Sequence, residues 1–237
     1  MIPKTIHYCW FGKGEKSRLI LRCIESWRQL CPDYEIIEWN ESNFDINVCP
    51  YVRGAYDAGM WAYVSDYARF HILNKHGGIY LDTDVELLKP LDDLLENDAF
   101  AGFASDKIIA TGLIFACHSE NWLCREILES YEGEEFINAA PDKILAIGRR
   151  VTAILQRHGL KLNGQKQCID GVTVYPKVYF NPTDGDMRAK PDERAYSVHH
   201  YAATWFPKKK RILNSIRRFI GTKNMKKYYN IKSKIKK

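Results

Sequence analysis

Several features that define common protein classes are absent from this 237-residue chain. It has no run of eighteen apolar residues, so a transmembrane helix is not expected. Its start lacks the charged and then apolar layout of a signal peptide, which predicts a protein made and kept in the cytosol. Its seven cysteines contain no Cys-x-x-Cys pair, which argues against a disulfide framework and a zinc site and favours reduced packing residues. No Gly-x-Gly-x-x-Gly follows the first predicted strand, so the usual dinucleotide fingerprint is missing.

Acidic residues are missing from the end of the chain. From residue 208 onward there are thirteen Lys or Arg residues and no Asp or Glu. Because the whole chain has a formal net charge of +6, residues 1–207 carry −7. We expect one globular domain over 1–207, for which 46% hydrophobic residues suffice, and a basic tail over 208–237.

Apolar residues recur at helical spacing within this basic tail. The pattern is typical of an amphipathic helix that lies on an anionic membrane surface. RNA binding and a simply solvated tail are the alternatives. The apolar positions are Ile212, Ile216, Phe219 and Ile220.

The most informative stretch runs from His76 to Val85 and reads HGGIYLDTDV. Residues 79–81 predict a short buried strand after a Gly-Gly break, and this strand delivers Asp82 and Asp84 at its end. Residues two apart in an extended chain project to the same side, so both carboxylates can share one cation. A hard divalent metal is the expected partner. The similar Asp184-Gly185-Asp186, in a loop rich in Pro, Gly and Asp, is interpreted as an acidic surface turn.

Predicted strands and helices alternate from the first residues. Ser17 is a candidate N-cap for a helix over 18–30, between strands at 5–11 and 34–39. This alternation predicts an α/β fold. Further along, strands are predicted at 99–104, 108–117 and 172–175, and helices at 122–131 and 142–158.

A long helix is predicted from Tyr56 to Lys75. Within it Ser65, Asp66 and Arg69 share one side, because residues three and four apart are neighbours on a helix. The alternative is that Asp66 and Arg69 form an ordinary ion pair on the protein surface, which would contribute little to stability. Since this helix leads directly into the strand before Asp82, its polar side is expected to border the same cleft.

These features together resemble the sugar transferases of glycosyltransferase family 32, and more distantly the glucosylating domains of large clostridial toxins. The resemblance is close over about the first 110 residues and returns around residues 197–205. The matching motifs are Ile2–His7 with Trp10, Ser65-Asp66-x-x-Arg69, Gly77–Asp84, and His199-His200 with Trp205.

The resemblance implies a GT-A, Rossmann-like fold with a central mixed sheet flanked by helices, and a nucleotide-sugar donor. It also implies positions for the donor contacts. Trp10 would stack on the base, and Ser65 and Asp82 would lie near the ribose and diphosphate. Asp66 would hold donor-sugar hydroxyls, and Arg69 would lie beside the developing negative charge. Trp205 would close over the diphosphate.

A divalent metal, Mn²⁺ or Mg²⁺, is a further implication of the resemblance. Asp84 is the expected direct ligand, and Asp82 would bind directly or through water. A histidine near the end of the domain often completes the metal shell in related folds, and His200 is favoured over His199. Asp66 and Arg69 are the expected catalytic residues.

The predicted function is a metal-dependent transferase that moves a hexose of the galactose or glucose type from a UDP-sugar to a saccharide acceptor, and the resemblance implies that the transfer retains the anomeric configuration. The acceptor is expected to be lipid-linked, on the inner face of the cell membrane, in capsule or surface polysaccharide synthesis. A metal-dependent nucleotidyltransferase and a non-enzymatic basic RNA-binding protein are the alternatives.

The sequence also departs from the family pattern. Ile147-Gly148-Arg149-Arg150 stands where related sequences commonly have Thr-Gly-Pro, and Thr204 replaces the usual Ser before Trp205. The charge of Arg149 and Arg150 suggests that they meet an anionic acceptor such as a lipid pyrophosphate.

Overall fold

The computed structural model describes residues 1–136, 146–183, 186 and 189–202. Five helices are found in these ranges: α1 (Arg18–Leu30), α2 (Pro50–Asp57), α3 (Trp61–His76), α4 (Trp122–Glu129) and α5 (Ile147–Arg157). The strands are β1 (Thr5–Cys9), β2 (Glu35–Trp39), β3 (Gly78–Tyr80), β4 (Val85–Leu87), β5 (Ala99–Ser105), β6 (Ile108–Ile109), β7 (Phe115–Cys117), β8 (Gln167–Ile169), β9 (Val172–Tyr175) and β10 (Ser197–His199).

An eight-stranded mixed sheet forms the centre of the fold. Its order is β2-β1-β3-β7-β5-β9-β8, and β6 pairs with β5. β1 is parallel to both β2 and β3, and β5 is parallel to β9, whereas β7 runs antiparallel to both β3 and β5. A second, two-stranded sheet joins β4 and β10 in antiparallel register. The predicted α/β fold with a central mixed sheet flanked by helices is confirmed.

The hydrophobic core has two parts, one on each face of the central sheet. Side chains alternate along β3 and the residue after it, so Ile79 and Leu81 enter one part while Tyr80 enters the other. Ile20, Ile24 and Trp27 of α1 pack in the first part, and the buried residues of α2 to α5 pack in the second. The sheet is therefore covered on both faces, which is why β3 is fully buried.

Several predicted boundaries are confirmed. The predicted helix at 18–30 is α1, and the backbone N–H of Ile20 bonds the Ser17 hydroxyl at 3.5 Å as its N-cap. The predicted strands at 34–39, 99–104 and 172–175 correspond to β2, β5 and β9 within one residue at each end.

Two predicted elements are wrong in extent. The helix expected over 56–75 is split, because Gly59 has a φ of +67° between α2 and α3. The strand expected over 108–117 is two short strands, β6 and β7, separated by a turn in which the Leu113 N–H bonds the Ala110 carbonyl. The predicted helix at 142–158 is described only from α5 onward, since 142–145 lie outside the described residues.

The cysteines pack as reduced residues. All seven are free thiols, and five of them, Cys9, Cys23, Cys31, Cys117 and Cys124, are buried. Among the described residues, no helix combines the length and the apolar character needed to span a bilayer.

Candidate functional site

The Gly77-Gly78 break directs the chain from α3 into the middle of the sheet. Both glycines have positive φ, +66° and +98°. A Cβ on Gly77 would lie 2.8 Å from the Ser119 nitrogen, and one on Gly78 would lie 2.8 Å from His7 Nε2. The break therefore needs glycine for its backbone conformation and for space. It places β3 beside β1, with the carboxyl ends of both strands at the same edge of the sheet.

Asp82 and Asp84 lie on a turn rather than on one continuous strand. β3 ends at Tyr80, and the Val85 N–H bonds the Asp82 carbonyl at 3.0 Å. The turn leads into β4, which α1 holds through the Trp27 indole N–H bonded to the Val85 carbonyl at 2.8 Å. The expected strand alternation is therefore not what brings the two carboxylates together.

The second carboxylate, Asp84, is held by the end of the described chain. Its Oδ1 lies 3.0 Å from His199 Nε2, and its Oδ2 accepts the Ala202 backbone N–H at 2.6 Å. The His200 N–H also bonds the Asp84 carbonyl at 2.9 Å. Although burial raises the pKa of Asp84, His199 and the Ala202 amide outweigh this and lower it to about 2. Asp84 is therefore ionised at neutral pH.

Asp82, Asp84 and His199 form one cluster of possible metal ligands. One ligand atom from each lies within 4.8 Å of the others. Two carboxylate oxygens and an imidazole nitrogen are a donor set that a divalent metal accepts, so the residues present fit such an ion. His200, the histidine expected here, is placed differently: its Nε2 lies 2.6 Å from Glu86 Oε2. The structure therefore brings His199, and not His200, into the cluster with Asp82 and Asp84.

Arg69 of α3 connects the helix to the carboxylate cluster. Its Nη2 lies 2.9 Å from Asp66 Oδ1 and 3.4 Å from Asp82 Oδ1, and its Nε donates to the Ser65 carbonyl at 3.1 Å. Its guanidinium also lies 4.6 Å from the centroid of the Tyr80 ring. The expected meeting of the helix with the strand end is confirmed at these contacts. The contact of Tyr80 with Arg69 was not expected, and the alternation of side chains along β3, which turns Tyr80 away from Ile79 and Leu81, is its signal in the sequence.

Arg69 and its neighbour Asp66 have shifted pKa values. Burial lowers the pKa of Arg69, but Asp82, Tyr80 and Asp66 raise it above its ordinary value, so the guanidinium stays charged. Burial raises the pKa of Asp66 to about 6, with Arg69 opposing this shift and Asp82 adding to it. A half-buried acid with a pKa near neutrality beside a permanent cation is typical of functional sites.

Trp10 lies at the same sheet edge as Asp82, directly after β1. Its indole N–H donates to the Gly14 carbonyl at 2.6 Å, and Lys16 Nζ lies 5.2 Å from its ring centroid. The ring is partly exposed, which suits a stacking surface for a planar ligand. Ser65 is also partly exposed, and its hydroxyl donates to the Trp61 carbonyl at 3.0 Å. Contacts of these residues with a donor stay predictions, and Trp205 lies outside the described residues.

The two arginines at the start of α5 differ in their surroundings. Arg150 is buried, bonds the Ser130 carbonyl at 2.6 Å and pairs with Glu134 at 2.7 Å. Its guanidinium lies 4.0 Å from the Tyr131 ring centroid. These contacts give Arg150 a structural role. Of the two arginines that were expected to meet an anionic acceptor, Arg149 is the exposed one.

Comparison with known families matches the part of the chain that carries this site. Residues 17–101 match the family model described as a glycosyltransferase sugar-binding region containing a DXD motif. The matched range includes Asp66, Arg69, Asp82 and Asp84. Over this range the chain is similar to the DXD glycosyltransferases. The family resemblance found from the motifs is thus confirmed, and Asp82-Thr83-Asp84 is the DXD motif of this glycosyltransferase region.

Two curated relatives match this chain over part of their own, longer sequences. The chain is similar to inositol phosphoceramide mannosyltransferase 3 of Schizosaccharomyces pombe, with 32% identity over 117 residues, which are 48% of this chain and 33% of that protein. Subversion of eukaryotic traffic protein A of Legionella pneumophila is 27% identical over 173 residues, 60% of this chain and 25% of that one. The chain therefore spans about a third or less of the length of these two curated relatives.

A solved structure, the PaToxG glycosyltransferase, superimposes with a TM-score of 0.46 and 20% identity, covering 66% of this chain and 69% of that chain.

Proposed function

We propose that this protein is a glycosyltransferase that moves a sugar from a nucleoside-diphosphate sugar with the help of a divalent metal. One observation carries the proposal. The DXD carboxylates of the matched region converge with His199, which comes from outside that region, and the charged Arg69 lies 3.4 Å from Asp82.

The chemistry of the reaction fits these groups. Breaking the bond between the anomeric carbon and the diphosphate leaves negative charge on phosphate oxygens. A metal held by Asp82, Asp84 and His199 would supply Lewis-acid stabilisation of that charge. Arg69 stays positive through its carboxylate partners and would stabilise the same charge from the other side of Asp82.

Asp66 and Trp10 have separate roles in this proposal. Asp66 lies beside Arg69 and would accept hydrogen bonds from donor-sugar hydroxyls through its carboxylate. Trp10, at the end of the neighbouring strand β1, would stack on the base of the nucleotide.

The finer assignment follows the family resemblance. We propose Mn²⁺ or Mg²⁺ as the metal, a UDP-sugar of the galactose or glucose type as donor, and retention of the anomeric configuration. The fungal relatives are named mannosyltransferases, so a mannosyl donor is the second candidate. The proposed acceptor is a lipid-linked saccharide for capsule or another surface polysaccharide.

The donor class is tested by calorimetric binding of UDP, GDP, CDP and ATP with and without Mn²⁺. The proposal predicts metal-dependent binding of one nucleoside diphosphate, lost in Asp84→Ala. Adjacent histidines give a matched pair: His199→Ala should weaken Mn²⁺ binding, whereas His200→Ala should not. Binding that does not need Asp84 would contradict the proposal, and turnover of a nucleoside triphosphate with release of pyrophosphate would favour a nucleotidyltransferase.

We also propose that the basic tail, residues 208–237, holds the protein on the inner face of the membrane. The support is the charge asymmetry of the sequence, −7 over residues 1–207 and thirteen basic residues from residue 208 onward. A chain cut after residue 207 should no longer sediment with phosphatidylserine vesicles but should still hydrolyse the donor. Continued vesicle binding by the shortened chain would refute the tail proposal, and salt-sensitive binding of RNA instead would favour the alternative partner.

A further inference from the structure

Gly112 lies against the first carboxylate of the DXD motif. It belongs to the turn between β6 and β7, and its carbonyl accepts the Asp82 backbone N–H at 3.0 Å. A Cβ placed on Gly112 would be 2.0 Å from Asp82 Oδ2, 2.8 Å from Asp82 Cγ and 3.1 Å from Arg69 Nη1. The Asp82 carboxylate therefore occupies the space that any side chain at position 112 would take.

The backbone at this position does not itself require glycine. The φ of Gly112 is outside the left-handed region, unlike those of Gly77 and Gly78 in the break before β3. The φ at this position therefore does not exclude alanine. The need for glycine at position 112 is thus a need for space beside Asp82 and Arg69.

A methyl group at position 112 would displace Asp82 rather than Arg69. The Arg69 side chain is only 4% exposed and is fixed by the Ser65 carbonyl, Asp66 and the Tyr80 ring. The Asp82 side chain is 31% exposed, so its carboxylate can rotate toward solvent. The expected effect of the methyl group is a folded protein with a misdirected carboxylate.

We propose that Gly112 is a positioning residue of the metal and donor site. By leaving space, it lets the Asp82 carboxylate contact Arg69 and stand in the same cluster as Asp84 and His199. The inference deepens the proposed function and rests on it for the role of the metal. The contact between Gly112 and Asp82 is independent of that role.

The first test compares Mn²⁺ affinity in Gly112→Ala with the native chain by calorimetry. Gly102→Ala is the matched control, since its Cβ would lie 2.5 Å from Phe180 Cδ2 in the core and its backbone also lacks positive φ. Gly112→Ala and Asp82→Ala should each weaken Mn²⁺ binding at least tenfold, whereas Gly102→Ala should change it less than twofold. Unchanged affinity in Gly112→Ala would overturn the inference.

The second test is a double-mutant cycle on the thermal unfolding midpoint, which needs no metal. The midpoint shift caused by Gly112→Ala should shrink by at least half when Asp82 is already alanine, because the conflicting carboxylate is gone. Equal shifts in both backgrounds would overturn the inference. A native chain that binds no Mn²⁺, with the predicted shrinkage present, would refute the proposed function while supporting the contact.

Discussion

The buried His7 should make folding stability depend on pH in a predictable direction. Its ring is 1% exposed; Nδ1 accepts the Trp39 indole N–H at 3.1 Å, and Nε2 lies 3.0 Å from the Gly77 carbonyl. These partners require a neutral ring with its proton on Nε2. Burial lowers the pKa of His7 to about 4, with the Gly77 carbonyl opposing this and His76 adding to it.

The magnitude follows from linkage. A histidine takes up its proton near pH 6.5 when the chain is unfolded, whereas the folded protein resists protonation of His7 until about pH 4. The unfolded state therefore binds more protons in this interval, and the stability due to His7 is full above pH 6.5 and is lost as the pH falls. Between pH 8 and pH 5 the free energy of unfolding should lose about 2 kcal/mol through this residue.

The assay is urea unfolding of the native chain and of His7→Gln at several pH values from 5 to 8. Glutamine keeps a donor and an acceptor but does not titrate, so the difference between the two proteins isolates His7. The subtraction is needed because Asp66, with its pKa raised to about 6, has the opposite pH dependence in this interval. The difference in unfolding free energy should fall by about 2 kcal/mol from pH 8 to pH 5.

Parallel stability curves for the two proteins would refute the reasoning about His7. A second measurement applies if His7→Gln is too unstable to study. The side-chain nitrogen spectrum of the native chain should still show His7 as the neutral form protonated on Nε2 at pH 5. A protonated ring at that pH would contradict the lowered pKa.

Two further predictions concern other buried or paired side chains. His158 lies 2.7 Å from Glu126 and 2.8 Å from Asp170, and these carboxylates raise its pKa, so its stabilisation is present at low pH and lost as the pH rises. The stability difference between the native chain and His158→Gln should therefore be larger at pH 6 than at pH 9, and a constant difference would contradict this. The Thr111 hydroxyl is buried without a hydrogen-bond partner among the described residues, so Thr111→Val should raise the free energy of unfolding by about 1 kcal/mol in urea titrations. Thr152→Val is the control and should lower stability, because its hydroxyl bonds both Ile109 N and Gly148 O; a loss in both variants would argue against the Thr111 reasoning.

The parts of the fold that could be predicted are those with local signals. Helix α1 has its cap and its apolar spacing within fourteen residues, Ser17 to Leu30, and its predicted bounds are those found. The strand before Asp82 was indicated by Gly-Gly and a short apolar run. The split of the expected long helix also had a local signal, Gly59, which the amphipathic pattern on either side concealed.

The parts of the site that could not be predicted depend on contacts between distant residues. The choice between His199 and His200 is decided by strand register, since β10 pairs His199 with Val85, directly after Asp84. No local pattern contains that pairing, because the two strands are separated by more than a hundred residues. Gly112 is similar, since one glycine in a turn gives no sign of which carboxylate it faces.

Because His199 and the Ala202 N–H bond the Asp84 carboxylate, the site cannot form during synthesis until these residues have been made. A ribosome makes the chain from its first residue, so the DXD motif emerges long before the residues that complete its surroundings. No nascent chain that stops before His199 can assemble the cluster, so the two carboxylates stay an incomplete ligand set until translation has passed that residue. A free divalent cation thus meets the finished site only on a chain that already includes these residues.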